Sequence, residues 1–109
     1  MTFQEINEMI GGFGLPYAYY SFPETGQQPP FITWYFYGIS DLYADGINYQ
    51  KILPLVIEFY SDEKDIPNEL IIEAALTERG FSYGKEETYI DSEHMHETIY
   101  TLEVLNNGQ

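Results

Sequence analysis

The stretch QKILPLVIEFY, residues 50–60, places Leu53, Leu55, Ile57 and Phe59 at every second position. A period of two puts four large apolar side chains on one face of an extended chain, whereas a helix would scatter them around its circumference. The chain must therefore build a sheet with one strongly apolar face, and other segments must supply neighbouring strands and a covering layer. Pro54 falls on the opposite face, and its missing N–H predicts an edge or a bulge at that point.

Residues 31–37, FITWYFY, are dense in β-branched and aromatic types and read as a second strand. Residues 17–22 suit a short strand ending at Pro23, and 24–30, with Pro29-Pro30, make an irregular loop. Two further strands fit 81–89 and 95–105, the latter turning Tyr100, Leu102 and Val104 toward the core.

The covering layer comes from two helical segments. Thr2 and Glu5 form a capping box, followed by Phe3, Ile6, Met9 and Ile10 at helical spacing. Gly11, Gly12 and Gly14 come after that apolar face. A phosphate cradle needs its glycines between a strand and a helix start, so these glycines end a helix. A second helix fits 66–79, with Asp65 as its cap, Pro67 in its first turn and Gly80 where the chain leaves it. Leu70, Ile71, Ala74 and Ala75 are its expected apolar stripe. The order α-β-β-β-α-β-β predicts one α+β domain over residues 1–109. Two helices pack on one face of a mostly antiparallel sheet of about five strands. Leu55, Ile57, Phe59, Leu70, Ala74, Leu102 and Val104 are expected to be buried together.

Between the two strongest strands lies GISDLYADGINY, residues 38–49, and Asp45-Gly46 within it is a favoured tight-turn pair. If the strands continue to this turn, the result is a long hairpin whose distal half extends past a small core. Its apolar and aromatic residues (Ile39, Leu42, Tyr43, Ile47, Tyr49) argue against an arm bathed in solvent. Two readings stay open: an arm that packs on another subunit, and an ordered loop folded over the sheet. On the first, Asp41, Leu42, Tyr43, Asp45, Ile47 and Tyr49 are candidate interface residues.

Composition narrows the function. Eighteen acidic residues against four basic ones give a formal net charge of −14. Nucleic-acid binding draws its strength from Lys and Arg neutralising phosphates, and Lys51, Lys64, Arg79 and Lys85 are too few and too scattered for that. Eleven tyrosines, seven phenylalanines and Trp34 are then strand and core material, with some left for a protein-binding face. Cysteine is absent, which excludes a disulfide framework and thiolate chemistry. No run approaches the roughly 18 apolar residues of a membrane span, and no basic and apolar leader opens the chain, so a cytoplasmic product is expected.

Catalytic and metal signatures are weak. His94 and His96 would share one side of a strand, with Glu93 and Glu97 on the other. A zinc centre needs a third ligand with supporting hydrogen bonds, and surface histidines at a strand edge are the better reading. Residues 61–69, SDEKDIPNE, lack the glycine of a calcium-binding loop. Glu86 and Glu87 are adjacent on a strand, face opposite ways and cannot act on one bond. No serine sits in a nucleophile elbow. Neither catalysis nor a cofactor or metal is expected.

Taken together, GLPYAYYSF, PPFITWYFYG, DLYADGINYQKILPLVIEFYSDEKD and ETYIDSEHMHETIYTLEV resemble small head–tail joining proteins of tailed phages and prophages of Gram-positive bacteria. Those proteins are similar in turn to tail-terminator (tail-completion) proteins. The resemblance covers nearly the whole chain and contains no catalytic motif. It implies an α+β fold with a projecting hairpin and a ring, usually of six subunits, that caps the tail tube and docks to the head connector. The implied partners are other copies of the chain, the major tail tube protein and a head-closure protein, with DNA passing through the ring rather than being bound. The implied location is the virion, after synthesis in the host cytoplasm. The alternatives are a head-closure or neck protein, a small host-directed binding protein from a mobile element, and a metal-dependent enzyme using His94 and His96.

Overall fold

A computed structural model describes residues 1–24, 26–37, 40–44 and 48–106. In chain order the elements are α1 (Phe3–Gly11), β1 (Tyr17–Tyr19), β2 (Phe31–Phe36), β3 (Ser40–Ala44), β4 (Asn48–Ser61), α2 (Ile66–Glu78), β5 (Gly84–Ile90), a 3-10 turn (Asp91–Glu93) and β6 (Met95–Asn106). The strands lie in the order β1-β2-β4-β6-β5, and β3 also pairs with β4. Every pairing is antiparallel except that of β1 with β2. The α+β class and the mostly antiparallel sheet are as expected from the sequence. The first arm of the hairpin is a separate strand, so one more strand precedes α2 than the predicted order allowed.

Register explains that extra strand. β2 pairs with β4 from Leu55 onward and β3 pairs with it up to Ile52, so Leu53 and Pro54 separate the two ladders. Pro54 accepts from the Tyr37 N–H at 2.8 Å but has no N–H to return. The proline sits in a central strand rather than at an edge, and it falls at the break in the ladder on that strand's β2–β3 side.

The same register assembles the core. Trp34, Ile57 and Tyr100 lie in line across β2, β4 and β6, as do Phe36, Leu55 and Leu102. Ile6, Met9 and Ile10 from α1, Phe13 just after it, and Ile72 and Leu76 from α2 close over that face in a single cluster. Thr2 and Glu5 do form the capping box, with the Glu5 N–H on Thr2 Oγ1 at 3.1 Å and the Thr2 N–H on Glu5 Oε1 at 2.7 Å. Positive φ falls on Gly14 (84°), whereas the cap residue Gly12 stays right-handed at −70°.

The face chosen by α2 corrects the sequence reading. Leu70 and Ile71 are exposed, 58% and 48%, and Ala74 is exposed as well. Glu69, Ile72 and Leu76 are buried instead. Ile66, Leu70, Ile71, Ile72, Ala74, Ala75 and Leu76 surround this helix, so apolar spacing does not select a face. Charge selects it. Glu69, 2% exposed, accepts from Lys64 and Lys85, each at 2.8 Å on Oε1, and Glu73 accepts from Lys85 at 2.7 Å and from the Tyr100 hydroxyl at 2.8 Å. Those bonds point the Glu69–Glu73 side of the helix toward the sheet. The helix then ends in a Schellman motif, Phe81 N–H to Leu76 O and Gly80 N–H to Thr77 O, both 3.0 Å, with Gly80 at φ 81°.

Candidate functional site

Three surfaces carry groups that could act: the polar cluster under α2, the sheet face away from the helices, and the hairpin arm.

Under α2, Glu69, Glu87 and His96 bring three potential ligand atoms within 4.8 Å of one another. The Lys64 ammonium bridges two of them, at 2.8 Å from Glu69 and 2.6 Å from Glu87. His96 Nε2 lies 3.0 Å from the same Glu87 oxygen. A lysine already supplies the positive charge that a divalent ion would bring, so the cluster reads as an ion-pair network. The Lys64 hydrogen bond holds the Glu87 carboxyl below its ordinary range, with His96 adding to it. Glu73 is also lowered: burial opposes its charge, but the hydrogen bonds from Lys85 and Tyr100 outweigh that.

The histidine pair expected on one side of a strand is not so arranged. His94 ends the 3-10 turn in a left-handed conformation (φ 53°), and β6 begins only at Met95. His94 lines a cleft on the sheet face away from the helices, whereas His96 faces Glu87 under α2 and is largely buried. The turn breaks the alternation on which the pairing depended. His96 is therefore a partnered inner-strand residue rather than a free surface histidine.

On the sheet face away from the helices, Glu58 lies opposite Thr33 and Ile99, and Glu97 lies opposite Tyr60. Glu58 accepts from Thr33 Oγ1 at 3.1 Å and from the Tyr60 hydroxyl at 3.4 Å. Glu97 is 8% exposed and meets the Glu58 carboxyl. Burial, then the Glu58 contact, push its carboxyl up from the ordinary range, because two carboxylates without a cation favour sharing a proton. This pair escaped the sequence reading. Its signal was Glu58, a lone acid within an otherwise apolar strand.

The candidate interface residues divide between described and undescribed positions. Asp41, Leu42 and Tyr43 lie in β3, paired in backbone register with Lys51, Gln50 and Tyr49. Asp45 and Ile47 lie outside the described residues. Among the described residues the β4–β6 ladder runs as far as Lys51↔Asn106, and the pairs Leu42↔Gln50, Tyr43↔Tyr49 and Ala44↔Asn48 form a two-stranded ribbon beyond it. Among the described residues no helix is long and apolar enough to cross a membrane.

No family model and no curated protein matches the sequence. The fold does match a solved structure, a chain from the virion of a native gene transfer agent (GTA) particle. The match has a TM-score of 0.59 over 90% of this chain and 84% of that chain. At 10% sequence identity this is a likeness of fold alone.

Proposed function

We propose that this protein is a structural, non-catalytic component of a phage-like virion, a tail terminator whose ring caps the tail tube and docks to the head connector. The observation that carries the reading is the ribbon beyond the sheet. Among the described residues it has two strands and no third, an arrangement marginal in water that gains stability when a neighbour covers it. The fold shared with a virion chain supports the particle. Two separate exposed apolar surfaces support a ring, since head-to-tail subunits meet through different patches. One is the outer face of α2 (Ile66, Leu70, Ile71), and the other surrounds the short edge strand β1 (Phe3, Tyr17, Tyr19). The partners are then further copies of the chain, the tail tube protein and a head-closure protein. Neither metal nor cofactor has a role. The net charge of −14 suits a conduit wall that repels passing DNA.

The test replaces residues 42–47 with a tight two-residue turn in the parent genome. The variant should fold, melt like the parent and give tails of uncontrolled length or tails unjoined to heads. Normal infectious particles would refute the arm's role. Tails of correct length that fail only to join heads would favour a head-closure protein.

A further inference from the structure

The sheet face away from the helices carries a cleft of about 730 Å³ between the segment after β1 and the 3-10 turn before β6. One wall is aromatic: Phe22 stands edge-on to Phe31 at 5.4 Å, and Phe31 stacks on Tyr60 at 4.8 Å and 21°. Acidic side chains line the same cleft: Glu24, Asp62 and Glu58, the last beside Tyr60. Among the described side chains the cations are engaged elsewhere: Lys64 and Lys85 are held under α2, and Arg79 reaches the Ala75 carbonyl. Behind Glu58, Glu97 is more than nine-tenths buried, with a second carboxylate and the Tyr60 hydroxyl as its neighbours. Among the described residues Glu58 has hydroxyl partners, Thr33 and Tyr60, and no ion pair, so the cleft presents an acid without a cation. Tyr20 and His94, the positive-φ residues other than glycine among those described, both line this cleft, and the Tyr20 ring is left 71% exposed.

We propose that this cleft docks an extended segment of a partner polypeptide through an arginine side chain, whose guanidinium stacks on the Phe31–Tyr60 wall and pairs with Glu58. Arginine fits better than lysine because its planar, weakly hydrated head both stacks on rings and bonds a carboxylate with two parallel donors. The surface is separate from the hairpin arm, and its occupancy does not depend on ring formation.

The test uses isotope-labelled full-length protein and three glycine–serine heptapeptides carrying one central arginine, lysine or citrulline. The arginine peptide should give saturable shifts grouped on Phe22, Phe31, Glu58 and Tyr60. It should bind roughly tenfold more tightly than the uncharged citrulline peptide, and more tightly than the lysine peptide. Glu58→Gln and, independently, Asp62→Asn should weaken it, while Glu103→Gln, an exposed acid at the far end of the same sheet face, should not. Equal binding of arginine and citrulline peptides, or absence of saturable shifts, would overturn the site. Equal binding of arginine and lysine would overturn the choice of arginine. Equal losses in Glu58→Gln and Glu103→Gln would reduce the effect to general attraction by an acidic protein.

Discussion

Ile57 and Leu70 carry side chains of similar size and differ in surroundings. Ile57 is fully enclosed between Trp34 and Tyr100, so Ile57→Ala should cost about 2–5 kcal/mol in a urea melt. Leu70 is 58% exposed on the outer side of α2, and Leu70→Ala should change stability by no more than about 0.5 kcal/mol. A large loss at Leu70 in the isolated subunit would contradict the helix orientation. Glu97 makes a pH prediction. Its carboxyl is raised above the ordinary 4.5, so between 4.5 and the raised value the folded chain holds a proton that the unfolded chain releases. Stability must then fall as pH rises through that window. Glu97→Gln should flatten this limb, read as melting temperature from pH 4.5 to 8. Below 4.5 the lowered carboxyls of Glu73 and Glu87 act in the other sense, and stability should fall as they take up protons.

Among the elements, α2 is oriented by charge and only then packed by its apolar residues. Glu69 is the anchor, since one buried oxygen accepts from two ammonium groups at 2.8 Å and the second lies near the Thr98 hydroxyl. Glu69→Gln keeps the shape and removes the charge. It should cost about 1–3 kcal/mol, and less of that loss should be recovered in salt than for an exposed pair. A variant as stable as the parent would return the choice of face to Ile72 and Leu76 alone. The β4 strand is the other organising element. Fourteen residues long, it pairs with β2, β3 and β6, and Pro54 sets the point at which β2 gives way to β3.

At the scale of the molecule, stability should be graded along β4. Leu55 to Phe59 are paired on both sides, with their inward side chains covered by helices, whereas among the described residues the Leu42–Ala44 and Asn48–Gln50 segments pair only with each other. In the isolated subunit the amides of the distal segments should exchange hydrogen much faster than those of Leu55 and Ile57. In an assembled particle they should become protected. Equal protection of both regions in the isolated subunit would mean that the arm needs no neighbour.

The sequence by itself determined the sheet, the caps and the class of fold, because period-two alternation, a capping box and a Gly80 exit are local signals read by local geometry. It also determined the break in the ladder at Pro54, since a proline cannot donate whatever surrounds it. Tertiary structure decided which side of an all-round apolar helix faces inward. That choice depended on Lys85 and Tyr100, which reach Glu69 and Glu73 only once β5 and β6 are paired. It also separated His94 from His96, through a left-handed turn that their spacing does not encode, and it drew Glu58 and Glu97 together from positions 39 residues apart across the β4–β6 ladder. Contacts of that range are settled by register, and register is a property of the assembled sheet.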